Sequence, residues 1–209
     1  MIKLILSDFD GVLSNVDRDF ITTGFYTTIR NENPELMQNI GNFLFKSSSG
    51  HINRAWMQGE ISYKELNTLM ARKFNTTENY LNKHLIESVK KMKLNESLIN
   101  FYQKQRLEGI KVCIMSDNMD IFSEVSIKHF NLDKYFDKIY NSADVKQLKR
   151  DKNCELAKRI TNEFGYENKD VLVIDDSEKL LGELNEYDFK TFLYNNKTQD
   201  QFENWFAKL

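Results

Sequence analysis

Two aspartates stand two residues apart near the start of the chain, in the segment Asp8-Phe9-Asp10-Gly11, directly after an apolar run. Such a run is typical of a buried strand, and ligands of parallel α/β sheets bind at the carboxyl ends of the strands. Two carboxylates this close repel each other unless a cation offsets their charge, and an all-oxygen site favours magnesium. A calcium loop would require an oxygen ligand where Val12 stands. The sequence therefore predicts a Mg²⁺ site, with a solvated turn and an acidic phosphate-accepting cluster as alternatives.

A second acidic pair, Asp175 and Asp176, follows the apolar residues 171–174. If both apolar runs are parallel strands, the two pairs meet at one edge of the sheet, which is unfavourable without a cation. Each pair therefore strengthens the metal interpretation of the other. Ser116 follows the apolar residues 111–115, and Lys149 comes after the short run 138–140. Taken alone, a serine such as Ser116 is more often a turn residue, and a lysine such as Lys149 is more often a surface lysine.

The hydrophobic pattern predicts the elements that position these side chains. Five short apolar runs are interpreted as buried strands, at residues 3–7, 111–115, 138–140, 171–174 and 190–193. Helical patterns lie between the later runs, at residues 98–105, 121–129 and 154–164, and Gly109 and Gly165 suit the ends of the first and third. Strands that alternate with helices indicate an α/β fold with a parallel sheet covered on both faces.

Residues 8–110 separate the first two strands, far more than one crossover needs, and most of this stretch has helical patterns. Asn33 before Pro34 and Ser62 with Glu65 are helix-start signals, and a further helix is predicted over residues 77–91. Residues 47–50 are the most loop-like. We therefore predict a core formed by residues 1–15 and 94–209, interrupted by an all-helical insertion at residues 16–93.

Composition excludes several classes of protein. Lys plus Arg number 29 against 31 Asp plus Glu, so the basic excess typical of nucleic-acid binding is absent. The apolar runs are too short to cross a membrane. The two cysteines, Cys113 and Cys154, have no CxxC spacing, which argues against a disulfide framework or a zinc site. We expect a cytoplasmic protein with neither nucleic-acid nor membrane partners.

The order of these features resembles the haloacid dehalogenase (HAD) superfamily. The chain has a DxDGVL segment from Asp8, a strand ending in Ser116, then Lys149, and a strand followed by Asp175 and Asp176. These are the family's four motifs in their usual order. The resemblance implies a Rossmann-like parallel sheet as the catalytic core. It also implies that the insertion, with its Gly-Glu-Ile-Ser segment at 59–62, is a helical cap of the C1 type.

The resemblance assigns roles to the aspartates. Asp8 matches the nucleophile and a magnesium ligand, and Asp10 matches the general acid/base that also lends its backbone carbonyl to the metal. Asp176 matches the metal ligand of the fourth motif, with Asp175 in support. Dehalogenases of the family lack the second aspartate of the first motif because a halide leaving group needs no proton. Asp10 therefore favours the phosphatase branch.

Two further roles come with departures from the family pattern. Ser116 matches the hydroxyl that holds the transferring phosphoryl group, and Lys149 matches the lysine that neutralises it. Arg150 stands where the family often has proline, so Lys146 is a second candidate for the motif lysine. Asp117 stands where the family often has asparagine, which predicts an extra carboxylate near the substrate.

The expected function is a magnesium-dependent phosphatase that hydrolyses a small phosphorylated metabolite, such as a sugar phosphate or a nucleotide, through an aspartyl phosphate. An anionic nucleophile attacks a phosphate ester only where cations cancel the charge of the ester. A phosphomutase of the same family is one alternative, and a catalytically idle HAD-fold binding or regulatory protein is another. Among side chains of the insertion, His51 and Arg54 would suit a phosphate or sugar; Arg18, Asp19 and Lys46 are further candidates.

Overall fold

The computed structural model describes residues 1–14, 24–46, 50–195 and 197–209. Within these residues, five strands form one parallel sheet in the order β3-β2-β1-β4-β5. The strands are β1 (Leu4–Ser7), β2 (Lys111–Ser116), β3 (Lys138–Asn141), β4 (Val171–Asp175) and β5 (Lys190–Leu193). The predicted α/β fold is therefore confirmed, and each strand lies within one residue of its predicted bounds.

The central strands are buried on both faces because their side chains alternate between two apolar clusters. Ile5 of β1 lies beside Val112 and Leu172 in register, and all three belong to one cluster. Leu6, the next residue, belongs to the second cluster on the opposite face. This arrangement explains why the strands are continuous apolar runs rather than alternating apolar and polar residues.

The register of the sheet brings three strand ends together. Ser7, the last residue of β1, pairs with Ile114 of β2 and Ile174 of β4. Asp8 is the next residue, so it emerges at the carboxyl edge between β2 and β4. The order of the strands therefore places the segments after β1, β2 and β4 side by side.

The α-helices of the described residues lie between and after these strands. They are α1 (Pro34–Gly41), α2 (Gly50–Met57), α3 (Tyr63–Lys73), α4 (Glu78–Lys90), α5 (Glu96–Leu107), α6 (Ile127–Phe130), α7 (Ser142–Val145), α8 (Asp151–Glu163), α9 (Glu178–Asn185) and α10 (Phe202–Phe206). No helix in the described ranges is long and apolar enough to cross a membrane. Cys113 and Cys154 are both free and buried.

Helices α1 to α4 lie between β1 and α5, where the sequence predicts the insertion. Their starts follow the predicted signals, because Asn33 caps α1, Ser62 and Glu65 form a capping box at α3, and Thr77 caps α4. Trp56 is fully buried in the same apolar cluster as Ile5 of the sheet. The insertion and the sheet therefore share one core.

The loop predicted at residues 47–50 falls partly outside the described residues, since 47–49 are not described. Gly50 already belongs to α2, so the predicted loop is wrong at its last residue.

Two helical segments depart from their predictions. Residues Phe122–Ser126 form a π-helical turn that continues into α6, rather than a single α-helix. The hydrophobic pattern of so short a run cannot distinguish the period of a π-helix from that of an α-helix. Helix α8 begins at Asp151, before its predicted start, and Lys152, Asn153 and Cys154 have positive φ angles of 51°, 58° and 59°. Its first turn is therefore left-handed, which no propensity rule anticipates.

Candidate active site

Three aspartates lie together at the carboxyl edge of the sheet. Asp8 follows β1, Asp175 ends β4, and Asp176 comes next. One carboxylate oxygen from each lies within 4.8 Å of the others, with Asp8 and Asp175 buried and Asp176 half-buried. Oxygen ligands grouped in this way suit a hard divalent cation such as Mg²⁺. The structure thus brings together the side chains of three of the four residues predicted as metal ligands.

The Lys149 ammonium contacts this cluster directly. Its Nζ lies 2.8 Å from Asp8 Oδ2 and 2.7 Å from Asp175 Oδ2, and the lysine is buried. Burial alone lowers the pKa of Lys149, but the carboxylates of Asp175 and Asp8 outweigh it and raise the pKa overall. Lys149 is therefore positively charged beside Asp8. Lys146, the other candidate, instead donates to the carbonyl of Gly59.

Asp8 is held in place by its own neighbours. Its Oδ1 accepts a hydrogen bond from the backbone N–H of Phe9 at 2.7 Å, and its carbonyl accepts one from Ser7 Oγ at 2.9 Å. Tyr102 of α5 in turn donates to Ser7 Oγ at 2.9 Å. Burial raises the pKa of Asp8, Lys149 opposes this effect, and Asp175 adds to it. The Asp8 carboxyl is thus held in one orientation, while burial and its acidic neighbours disfavour its ionised form.

Asp10 occupies a different environment. Its Oδ1 accepts from Ser14 Oγ at 2.8 Å, and its Oδ2 accepts from Asn118 Nδ2 at 2.9 Å. Burial raises the pKa of Asp10 to about 6. The Asp10 side chain lies outside the cluster formed by Asp8, Asp175 and Asp176, and the contribution of its backbone carbonyl to a metal stays a prediction.

Neither partner of Asp10 was predicted from the sequence. Asn118 comes two residues after Ser116 in the segment Ser-Asp-Asn, so its position just past a strand end was a usable signal. Ser14 comes four residues after Asp10, a spacing at which side chains meet where the chain makes a helical turn, as it does here after Phe9.

Ser116 and Asp117 lie at the end of β2. Ser116 is buried, and it pairs in register with Asn141 of β3. Asp117 is half-buried, and its Oδ1 accepts a hydrogen bond from the backbone N–H of Lys149 at 2.7 Å. Burial raises the pKa of Asp117. The carboxylate that was predicted near the substrate therefore also fixes the main chain at Lys149.

Residue 11 lies so close to the acidic cluster that glycine is the residue that fits there. Its φ angle is +76°, and a Cβ atom at this position would lie 2.9 Å from Asp176 Oδ2. Real Cβ atoms do not approach another atom so closely, and the positive φ angle itself strains any other residue. Glycine after the second aspartate of the first motif thus allows Asp176 to approach.

The insertion contacts the sheet edge beside this site. Trp56 Nε1 donates to Asp120 Oδ1 at 2.8 Å, and the backbone N–H of Tyr63 donates to Asp120 Oδ2 at 3.0 Å. Arg54 Nη2 pairs with Asp151 Oδ1 at 2.7 Å. Arg54, predicted as a possible substrate contact, is therefore engaged by a carboxylate two residues after Lys149.

The other side chains of the insertion that were predicted to contact the substrate are either exposed or outside the described part of the structure. His51 is exposed. Arg18 and Asp19 lie outside the described residues, and the Lys46 side chain is likewise not described.

Comparison with known proteins identifies the family. The model of the haloacid dehalogenase-like hydrolases matches residues 5–181. No curated protein to which the chain was compared is similar to it in sequence.

Several solved structures share the fold. A wild-type HAD family enzyme from Bacteroides thetaiotaomicron, in complex with magnesium and inorganic phosphate, is 22% identical with a TM-score of 0.72, covering 99% of this chain and 100% of that chain. A predicted HAD-like hydrolase from Porphyromonas gingivalis is 17% identical with a TM-score of 0.78 and full coverage of both chains, 100% each.

A dehalogenase has a related fold. The L-2-haloacid dehalogenase from Xanthobacter autotrophicus, with chloropropionic acid covalently bound, is 13% identical with a TM-score of 0.63, covering 100% of this chain and 83% of that chain. At these identities the similarities describe the fold, whereas the family match extends over most of the sequence. The chain therefore belongs to the haloacid dehalogenase-like hydrolases.

Proposed function

We propose that the protein is a magnesium-dependent phosphatase that acts on a small phosphorylated metabolite through an aspartyl phosphate. The observation that carries this proposal is the separation of Asp8 and Asp10 into two environments. Asp8 lies against Lys149 and the acidic cluster, whereas Asp10 is held outside it by two uncharged donors. One carboxylate is placed as a nucleophile, and the other is placed to exchange a proton.

The metal would be held by Asp8, Asp175 and Asp176, with the backbone carbonyl of Asp10 as a further ligand. The fit rests on the donor set, because three carboxylate oxygens lie within 4.8 Å of one another and so concentrate negative charge at one place. Bound Mg²⁺ would offset this charge and that of the phosphate ester. The magnesium and phosphate bound by the Bacteroides thetaiotaomicron enzyme support this assignment.

The chain's own residues then account for both halves of the reaction. Asp8 attacks phosphorus, and the bond to the leaving oxygen breaks as Asp10 donates its proton to that oxygen. Lys149 offsets the negative charge of the transferring group, and Ser116 donates a hydrogen bond to it. Asp10, now ionised, takes a proton from the water that hydrolyses the aspartyl phosphate. Inorganic phosphate leaves, and Asp8 and Asp10 return to their starting states.

Dehalogenation is the alternative that the fold raises, because dehalogenases have a similar structure. A halide leaves without a proton, so a second, hydrogen-bonded aspartate would have no part in the bond-breaking step. The contacts of Asp10 with Ser14 and Asn118 favour a leaving group that needs protonation, such as an alcohol. We therefore place the chain in the phosphatase branch.

We also propose that residues 16–93 form a C1-type helical cap over this site. Contacts of Trp56 and Tyr63 with Asp120 support this proposal, because they seat the insertion two residues from Asn118. A cap in this place would exclude water and contact the leaving group.

The proposed function is tested by a screen of phosphorylated metabolites for phosphate release, with 4-nitrophenyl phosphate as an unselective substrate. L-2-chloropropionate is assayed in parallel for chloride release. Phosphate release with no chloride release is the expected result. Chloride release alone would contradict the proposal.

Removal of divalent cations is expected to abolish phosphate release. Excess EDTA removes the cation that would offset the charges of Asp8, Asp175 and Asp176, and these carboxylates then repel a phosphate dianion. Adding MgCl₂, and separately MnCl₂, to the chelated protein measures which cation restores turnover. Undiminished turnover in excess chelator would contradict the metal site.

Replacement of Gly11 is expected to weaken cation binding. The methyl group of Gly11→Ala would displace Asp176, so we expect the dissociation constant for Mg²⁺ to rise by about 10–100-fold. Strain at the positive φ angle costs about 1–2 kcal/mol, which lowers Tm by a few degrees. Isothermal titration calorimetry and thermal unfolding measure the two effects.

Gly109→Ala is the matched control for this substitution. Gly109 has a φ angle of +90°, but a Cβ atom there would meet no atom within 4 Å. Its replacement is therefore expected to lower Tm similarly and to leave Mg²⁺ binding unchanged. Equal Mg²⁺ affinities in the two variants would show that Gly11 has no particular role at the site.

A further inference from the structure

Asn118 connects the Asp10 carboxyl to the body of the protein. Its Nδ2 donates to Asp10 Oδ2 at 2.9 Å, while its Oδ1 accepts from the backbone N–H of Met119 at 2.9 Å. The side chain is only 2% exposed. Both ends of the amide are therefore engaged, which fixes its orientation and directs an N–H group at Asp10.

The backbone of Asn118 is held by Ser142 at the start of α7. Ser142 Oγ accepts from the Asn118 N–H at 2.9 Å and lies 3.1 Å from the Asn118 carbonyl. The same hydroxyl lies 2.7 Å from the carbonyl of Met57, the last residue of α2. The single Ser142 hydroxyl hydrogen is best placed to bond with Met57, so Ser142 joins the insertion to the peptide that carries Asn118.

A second contact holds residues 118–120 against the insertion. Asp120 accepts hydrogen bonds from Trp56 Nε1 and from the backbone N–H of Tyr63, both in the insertion. Residues 118–120 are thus held on one side by Asp10 and on the other by the insertion. Loss of the insertion's contacts would loosen the main chain from which Asn118 reaches Asp10.

We propose that Asn118 is a positioning residue that holds the Asp10 carboxyl for proton transfer, and that contact with the insertion through Ser142 maintains this placement. The inference rests on the proposed phosphatase function. Asn118 itself exchanges no proton. It acts by restricting Asp10 to one orientation, so that the carboxyl need not be reoriented during each turnover.

Asn118→Ala tests this role through the leaving group. The ratio kcat/KM reports the steps up to departure of the leaving group. Phenyl phosphate needs a proton on its leaving oxygen more than 4-nitrophenyl phosphate does. We expect kcat/KM for phenyl phosphate to fall by about 10–100-fold, and clearly less for 4-nitrophenyl phosphate. Equal losses on the two substrates would overturn the proposal.

A double-mutant cycle with Asp10→Asn separates positioning from general loosening of the site. If Asn118 acts through Asp10, adding Asn118→Ala to the Asp10→Asn protein lowers kcat/KM no further. A multiplied loss in the double variant would instead indicate a structural role and overturn the proposal.

Asn141→Ala is the matched control. Asn141 is a buried asparagine whose Nδ2 donates to the Met119 carbonyl at 3.0 Å, so it braces the same segment without contacting Asp10. We expect it to change kcat/KM for the two esters equally, if at all. A selective loss on phenyl phosphate in this variant would show that loosening of the segment suffices, and would overturn the proposal.

Ser142→Ala tests the connection to the insertion. It is expected to reproduce the selective loss on phenyl phosphate in weaker form, and to add nothing to Asn118→Ala. Ser142→Thr retains the hydroxyl and is expected to restore activity, which also provides a measurement if the alanine variant does not fold. An unselective loss in Ser142→Ala, or a selective one in Ser142→Thr, would overturn the connection.

Wild-type protein distinguishes this inference from the proposed function. If wild-type protein releases no phosphate from either ester or from the metabolites, the proposed function fails and this inference fails with it. If wild-type protein is active and Asn118→Ala matches it on both esters, only the positioning role fails.

Discussion

Asp8→Asn is expected to reduce phosphate release to the uncatalysed background, a loss on the order of 10⁴-fold or more, as is found when an enzyme's nucleophile is removed. The amide is nearly isosteric with the carboxylate but is too weak a nucleophile to attack phosphorus. Phosphate release from 4-nitrophenyl phosphate, followed in the presence of excess MgCl₂, measures the loss. Turnover within tenfold of wild type would remove Asp8 from the role of nucleophile.

Asp170→Asn is the matched control for this variant. Asp170 pairs with Lys3, with its Oδ2 2.8 Å from Lys3 Nζ, so it resembles Asp8 in having a lysine partner. It lies before β4 at the opposite end of the sheet. Its replacement removes a lysine-paired carboxylate without touching the site, and we expect turnover to remain at the wild-type level. Circular dichroism establishes that both variants are folded.

Asp10→Asn is expected to lower kcat by about 10²–10⁴-fold, the usual contribution of general acid–base catalysis. Asparagine can neither donate the proton to the leaving oxygen nor accept one from water. With 4-nitrophenyl phosphate the first step needs little protonation, so a burst of 4-nitrophenolate is expected, followed by a slow steady rate. Absence of a burst together with normal turnover would show that Asp10 exchanges no proton in the reaction.

The position of the acidic cluster could be predicted from the sequence because it depends on strand ends alone. Asp8 and Asp175 are each attached to an apolar run, and parallel strands bring their carboxyl ends to one edge. The pattern of strands and helices does not by itself distinguish Lys149 from Lys146, since both lysines lie in one polar segment. The structure separates them, as only Lys149 Nζ reaches Asp8, while Lys146 contacts Gly59.

The contacts that orient the site could not be predicted in this way. The bond from Asn118 to Asp10 joins residues 108 positions apart, and the contact of Ser142 with Met57 joins residues 85 apart. Such pairs depend on how the insertion packs on the sheet edge, which hydrophobic periodicity does not encode. The left-handed turn at the start of α8 could not be predicted either, since residues other than glycine rarely adopt successive positive φ angles.

The central claim is that catalysis passes through a phosphoryl group on Asp8, and the location of that group tests it most directly. Asp10→Asn protein is mixed with 4-nitrophenyl phosphate and MgCl₂ and quenched in acid during the slow phase. Its peptides are then mapped by mass spectrometry. The account predicts one phosphoryl group, on Asp8, and none in the Asp8→Asn protein treated in the same way. A phosphoryl group on Ser116 instead of Asp8 would contradict it.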